Sequence, residues 1–172
     1  MNSHEIFLHL PPTTAGLIFS ELLEKEKPLY KATIETLTKQ RKLRPVFIER
    51  KPRLERHAWM QDALSRRAND AVAAHLLQIW LVSTKAALLC DFLDGLGIAH
   101  DENGTIEEMP PAPEKEKLAP VIDSLFAKYD PGIVLVYLQA FQALDEHGWP
   151  SLAELLETDE RLRLGPVATP AP

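Results

Sequence analysis

A single cysteine, Cys90, stands in a chain of 172 residues, so an intramolecular disulfide framework and any multi-cysteine zinc or iron–sulfur site are excluded. Glycine is scarce, and between Pro52 and Gly95 there is neither Pro nor Gly, which leaves room for long uninterrupted helix. Met1 to Leu10 contains no Lys or Arg and does contain Glu5, so it lacks the basic start of a secretory signal, and a cytoplasmic location is expected. None of the six histidines pairs with another at i, i+4, and no Glu-x-x-His motif is present. A Gly-rich phosphate loop is missing, and so is any internal repeat of the solenoid type. These gaps leave no metal site, cofactor or catalytic constellation to expect.

What the chain has is apolar periodicity. Hydrophobic residues make up 45%, the ordinary globular share, and a chain this long can bury ~70% of its unfolded surface. Ala15, Ile18, Phe19, Leu22 and Leu23 repeat at helical spacing behind Thr13 or Thr14 as a cap. Tyr30, Ile34 and Leu37 mark a second helix, after which Pro45–Ile48 reads as extended. A helix is expected over Arg53–Ala68. Ala71 to Leu96 is apolar on nearly all sides, as a central core helix or a membrane span would be. His75, Gln78, Ser83, Thr84 and Lys85 interrupt it, and a Lys at a bilayer centre costs ~2.5–3.5 kcal/mol on insertion scales. A core helix is therefore expected, closed by Gly95 and Gly97, with no membrane insertion and with His75 inside.

Asn103-Gly104 is a two-residue turn signal with Ile98 and Ile106 on its arms, which predicts a small β-hairpin near residues 98–108. Further on, Leu118, Val121, Ile122, Leu125, Phe126 and Tyr129 form an amphipathic stripe. Asp130-Pro131 opens a second largely apolar helix, about 131–146, as capping Asp and first-turn Pro commonly do. Ser151 and Glu154 have the spacing of a capping box for the last helix, and Trp149 is placed to staple it. The expectation is an all-α bundle of six or seven helices around two largely apolar central helices. One domain spans 1–165, with residues 1–51 as an N-terminal helical subregion, followed by a loose Pro/Ala-rich tail at 166–172.

Charge is unevenly distributed. The net charge is −6, yet residues 39–67 hold ten Lys or Arg against Glu49, Glu55 and Asp62. Residues 68–172 hold six Lys or Arg against seventeen acids. At 100° per residue, Arg53, Arg56, Met60, Ala63 and Arg67 fall within about 80° of one another, which predicts an outward arginine stripe. Leu54, Ala58, Leu64 and Ala68 would then dock on the core. Arg41, Lys42, Arg44, Arg50 and Lys51 stand on the approach, and Phe47 and Trp59 offer aromatic surface. Guanidinium groups suit phosphates and carboxylates alike, because they offer forked donors and stay charged.

The remaining candidates are weak. Asp101-Glu102-Asn103-Gly104 begins like a calcium loop, but Ile106 and Ala112 occupy the positions that need Gly and a bidentate Glu. Cys90 lies in an apolar helix beside Asp91 and Asp94, which discourage a thiolate, and a structural role is expected. Those two carboxylates oppose the helix dipole, which points to a nearby Arg and a structural salt bridge. The chain thus reads as a non-catalytic binding protein of regulatory or assembly type. Its expected partner is a protein or a second copy, met through the basic segment 39–67 and the acidic C-terminal part. The alternatives are nucleic acid or another polyanion on the arginine stripe, or an enzyme with a site of unrecognised type.

Overall fold

The computed structural model describes residues 1–108, 110–145 and 148–165. The expected tail at 166–172 lies outside them. The described residues are all-α, with ten helices and no strand. In chain order these are α1 (Ser3–His9), α2 (Pro12–Lys25), α3 (Lys27–Gln40), α4 (Pro45–Glu49) and α5 (Arg53–Leu64). They are followed by α6 (Asp70–Ile79), α7 (Ala86–Leu96), α8 (Lys115–Lys128), α9 (Pro131–Leu144) and α10 (Pro150–Thr158).

Two of the additional helices come from short segments. Helix α1 buries Ile6 and Phe7, and Phe7 stacks on Phe19 of α2 at 5.8 Å. Asp70 at the head of α6 accepts from the His4 backbone N–H at 2.9 Å and sits 2.8 Å from the His4 ring, tying α1 down. Helix α4 replaces the extended segment: Pro45 fits its first position, where no N–H is needed, and Ile48 anchors it in the core.

The long central helix is broken. A π turn at Trp80–Thr84 continues α6, and the rod Arg67–Thr84 that contains it meets α7 at 76°, with the break at Lys85. Glu21 of α2 holds this break by accepting from both Trp80 Nε1 and Lys85 Nζ. No single helix among the described residues is long and apolar enough to cross a membrane. Gly97, in left-handed backbone at φ 70°, closes α7 as its position suggests. Helix α9 buries residues on all sides, from Ile133 to Ala140, and Trp80 meets its Tyr137 at 6.3 Å. At its start the Asp130 carboxylate accepts from the Ile133 N–H.

The β-hairpin is absent. Residues 98–108 form an irregular loop in which the Asp101 carboxylate accepts from the N–H groups of Asn103 and Thr105, both at 2.8 Å. That side chain takes the place of a backbone acceptor, so no ladder starts. Gly104, at φ 79°, lies against Leu89 so closely that a Cβ would come within 2.7 Å of it. Ile98 and Ile106 each pack on the core. The capping box of α10 is also replaced: Ser151 donates to the Pro113 carbonyl and Glu154 pairs with Lys115. Trp149, the N-cap of α10, is buried against Phe141 of α9 at 5.0 Å and Phe92 of α7 at 6.1 Å, so it anchors the start of the last helix to its neighbours.

Candidate functional site

The basic segment folds into one corner of the molecule, made by the end of α3, all of α4 and most of α5. Helix α3 stops where Lys42 adopts φ 54°, which lets the Leu43 N–H reach the Thr38 carbonyl at 2.9 Å. The chain then turns through Arg44 into α4. Because α4 is a single turn held by Ile48, its other side chains face outward. Phe47 is 61% exposed, with Val46 and Leu43 exposed beside it.

Helix α5 is rotated from the expected phase. His57, Met60, Ala63 and Leu64 are buried, whereas Leu54 is 80% exposed and Ala58 and Ala68 also lie at the surface. Leu64 belongs to both lines, so the choice lies between Met60 with Ala63 and Leu54 with Ala58 and Ala68, and the packing of α1, α2 and α3 on α5 covers the first. The helix ends at Leu64, and Arg67 belongs to a separate 3-10 turn at Arg67–Asn69. The predicted outward stripe of Arg53, Arg56, Met60, Ala63 and Arg67 therefore does not exist as one face.

The cations divide into two groups. Arg56 is turned inward, with Nε donating to the Tyr30 hydroxyl and Nη1 to the Glu49 carbonyl, both at 2.9 Å. Arg41 donates to Asp62 at 2.8 Å and lies over the half-buried Trp59 ring at 5.2 Å, and Arg66 reaches the same carboxylate at 3.2 Å. The hydrogen bond from Arg41 holds the Asp62 carboxyl below the usual carboxylate range against the opposing effect of burial, with Arg66 helping. Lys51 makes a loose pair with Glu55 at 3.5 Å. These side chains secure the corner. Lys42, Arg44, Arg50 and Arg53 are exposed and have no carboxylate partner among the described residues. Arg67 is likewise unpaired but lies past the C-terminal end of α5, in the separate 3-10 turn, whereas Arg53 opens the helix.

Under this surface lies a buried imidazole. His57 packs against Phe19 at 5.4 Å and Tyr30 at 6.0 Å, and its Nε2 has no hydrogen-bond partner. Burial, with Arg56 and Arg53 nearby, pushes its pKa down to about 4. The ring is neutral at pH 7.

Of the other sequence candidates, Asp91 and Asp94 are engaged in ion pairs. Asp91 accepts from Lys128 and from the Tyr129 hydroxyl, so the salt bridge is made by a lysine and not by the expected Arg. Asp94 faces His100 Nε2 at 3.1 Å, while His100 Nδ1 meets the Asp101 carbonyl at 2.6 Å. With acceptors on both nitrogens, the bond to the Asp101 carbonyl foremost, the imidazole pKa is raised. Cys90 is half-buried, and burial together with Asp94, Asp91 and Asp101 pushes its thiol up. His75 is exposed on α6, not interior. No group of three or more potential metal ligands occurs among the described residues.

One signal could have located the corner from the sequence. Leu43, Val46 and Phe47 alternate with Lys42, Arg44 and Arg50 around Pro45, too short a stretch to bury them all. No protein-family model matches the chain, and comparison with curated proteins and with solved structures finds no match.

Proposed function

We propose that this protein is a non-catalytic binding protein of regulatory or assembly type, and that the α4 corner receives an acidic surface of a partner protein. One observation carries the reading: the exposed Leu43, Val46 and Phe47 share the stretch 42–53 with Lys42, Arg44, Arg50 and Arg53, none of which is in an ion pair among the described residues, against Glu49 as the one carboxylate on α4. Exposed apolar side chains grouped among charges mark interaction surfaces more often than chance exposure does. An aromatic anchor flanked by arginines has the composition of an interface centre, and unpaired cations steer an acidic partner toward it.

The test is fluorescence anisotropy with a labelled acidic peptide of Glu, Leu and Phe. Binding is expected, with a loss of tenfold or more in Phe47→Ala, since truncating an interface anchor costs about 2 kcal/mol. Equal binding by wild type and Phe47→Ala removes the basis of the reading.

A second reading rests on the same Phe47, which beside Arg44 and Arg50 offers a stacking surface to a single-stranded nucleic acid. The inward turn of Arg56 and the place of Arg67 past the end of α5 count against a phosphate-tracking stripe. Labelled single-stranded RNA decides between them. Binding at ~50 mM salt that falls steeply with log salt would favour the polyanion.

A further inference from the structure

A surface built from other helices than those around α4 contains a complement to its corner. A cavity of about 600 Å³ opens between α9, α10 and residues 160–165, ample room for a phenyl ring with the side chains beside it. Ala143, Ala153, Leu156 and Leu164 give it apolar walls, and Glu157 and Glu160 line it as well. Neither carboxylate has an ion-pair partner among the described residues. Arg163, which also lines the cavity, is held by its Nε to the Glu157 carbonyl at 2.9 Å. The corner thus carries an exposed aromatic ring flanked in sequence by Arg44 and Arg50, and the cavity has apolar walls with two unpaired carboxylates against the one guanidinium of Arg163.

We propose that the partner of the α4 corner is a second copy of this chain, with Phe47 of one copy seated in the α9–α10 cavity of the next. Arg44 and Arg50 then face Glu157 and Glu160. This rests on the reading of the corner given above and identifies its partner. Helix α4 packs on α3 and α5, whereas α10 packs on α8, α9 and the turn at Glu160–Leu162, so a chain's own Phe47 is not positioned to fill its own cavity. Two different surfaces meet, which makes the contact heterologous. Each added copy leaves one corner and one cavity free, so growth continues unless a ring closes.

Sedimentation velocity of the full chain over a concentration series tests this. Wild type is expected to show a rising mass that does not level off at a dimer, and to dissociate as salt is added. Phe47→Glu alone and Glu157→Lys/Glu160→Lys alone should each weaken association at least tenfold. All these positions are at the surface, and an unchanged circular dichroism melt shows that each variant is folded. Mixing the two variants joins one intact corner to one intact cavity, so the mixture should form dimers and stop there. Wild type that is monomeric throughout, or variants that associate like wild type, overturns the proposal, as does a mixture that stays monomeric. If the acidic peptide binds through Phe47 while wild type remains monomeric, only the second-copy assignment falls. If neither peptide nor second copy binds, the corner reading falls with it.

Discussion

Lys42 occupies left-handed backbone, a conformation in which its Cβ crowds the neighbouring carbonyl oxygen. Glycine would end α3 at that point without this cost, yet a cation stands there. Lys42→Gly should therefore raise stability by about 0.5–1 kcal/mol, the relief of strain outweighing the greater freedom of the unfolded chain. A higher urea midpoint with an unchanged slope would show it, and the same variant should bind the acidic peptide less tightly. His57 is a second residue whose cost is local. Its pKa is about 4 in the fold against 6.5 when free, so as pH falls below 6.5 the unfolded chain takes up the proton first. The contribution of the neutral ring is complete above pH 6.5 and is lost as pH falls through about 4, amounting to about 3 kcal/mol. His57→Leu also removes the unpartnered Nε2 and should flatten the decline between pH 6.5 and 4, measured as the change in urea midpoint relative to wild type. An equal decline in both proteins would show that other groups cause it.

At the scale of elements, periodicity located most helices but not their phase or their breaks. The stripes of α2, α3 and α8 were legible because several large apolar residues share one face, and Ile18, Ile34 and Ile122 are indeed buried. Helix α5 was misread because two short apolar lines compete on its surface, and only the neighbours α1, α2 and α3 decide which is covered. Helix α4 was missed because a single turn has no period to detect. The π turn at Trp80–Thr84 is fixed from outside by Glu21, which is far away in sequence, so local pattern could not reveal it. The loop at 98–108 failed in another way, because the Asp101 side chain outcompeted the strand ladder that Asn103-Gly104 would have allowed. The phase of α5 can be checked directly. Leu54→Lys should leave stability within about 0.5 kcal/mol, as surface changes usually do. Met60→Lys should cost more than about 4 kcal/mol, because it places an unpaired ammonium where no water reaches. Thermal melts of the two variants suffice, and the reverse order would restore the predicted face.

For the whole molecule, the sequence already separated charge by segment, but it could not say whether the acidic remainder would fold over the basic part. The structure answers residue by residue: Asp62 takes Arg41 and Arg66, Glu55 takes Lys51, and no carboxylate reaches Lys42, Arg44, Arg50 or Arg53 among the described residues. Asp123 and Asp159 are held by Arg161, and Asp91 by Lys128, so part of the acidic segment is neutralised within itself. The molecule is therefore electrically polar, with a positive corner on a negative body. Such a field acts at short range: at 0.1 M salt the screening length is about 10 Å, less than the span from one end of α5 to the other. A sulfonated cation exchanger probes this polarity, since a uniformly coated protein of net charge −6 should pass through it unretained at pH 7. Wild type is expected to be held at low salt, corner first, and released as salt approaches ~0.1 M. Arg44→Glu/Arg50→Glu should abolish retention, whereas Arg67→Glu, away from the corner, should reduce it only slightly. Passage of wild type straight through the column, loaded at a concentration at which it sediments as a monomer, would mean that the corner's cations are neutralised within the chain and that an acidic partner has nothing there to meet.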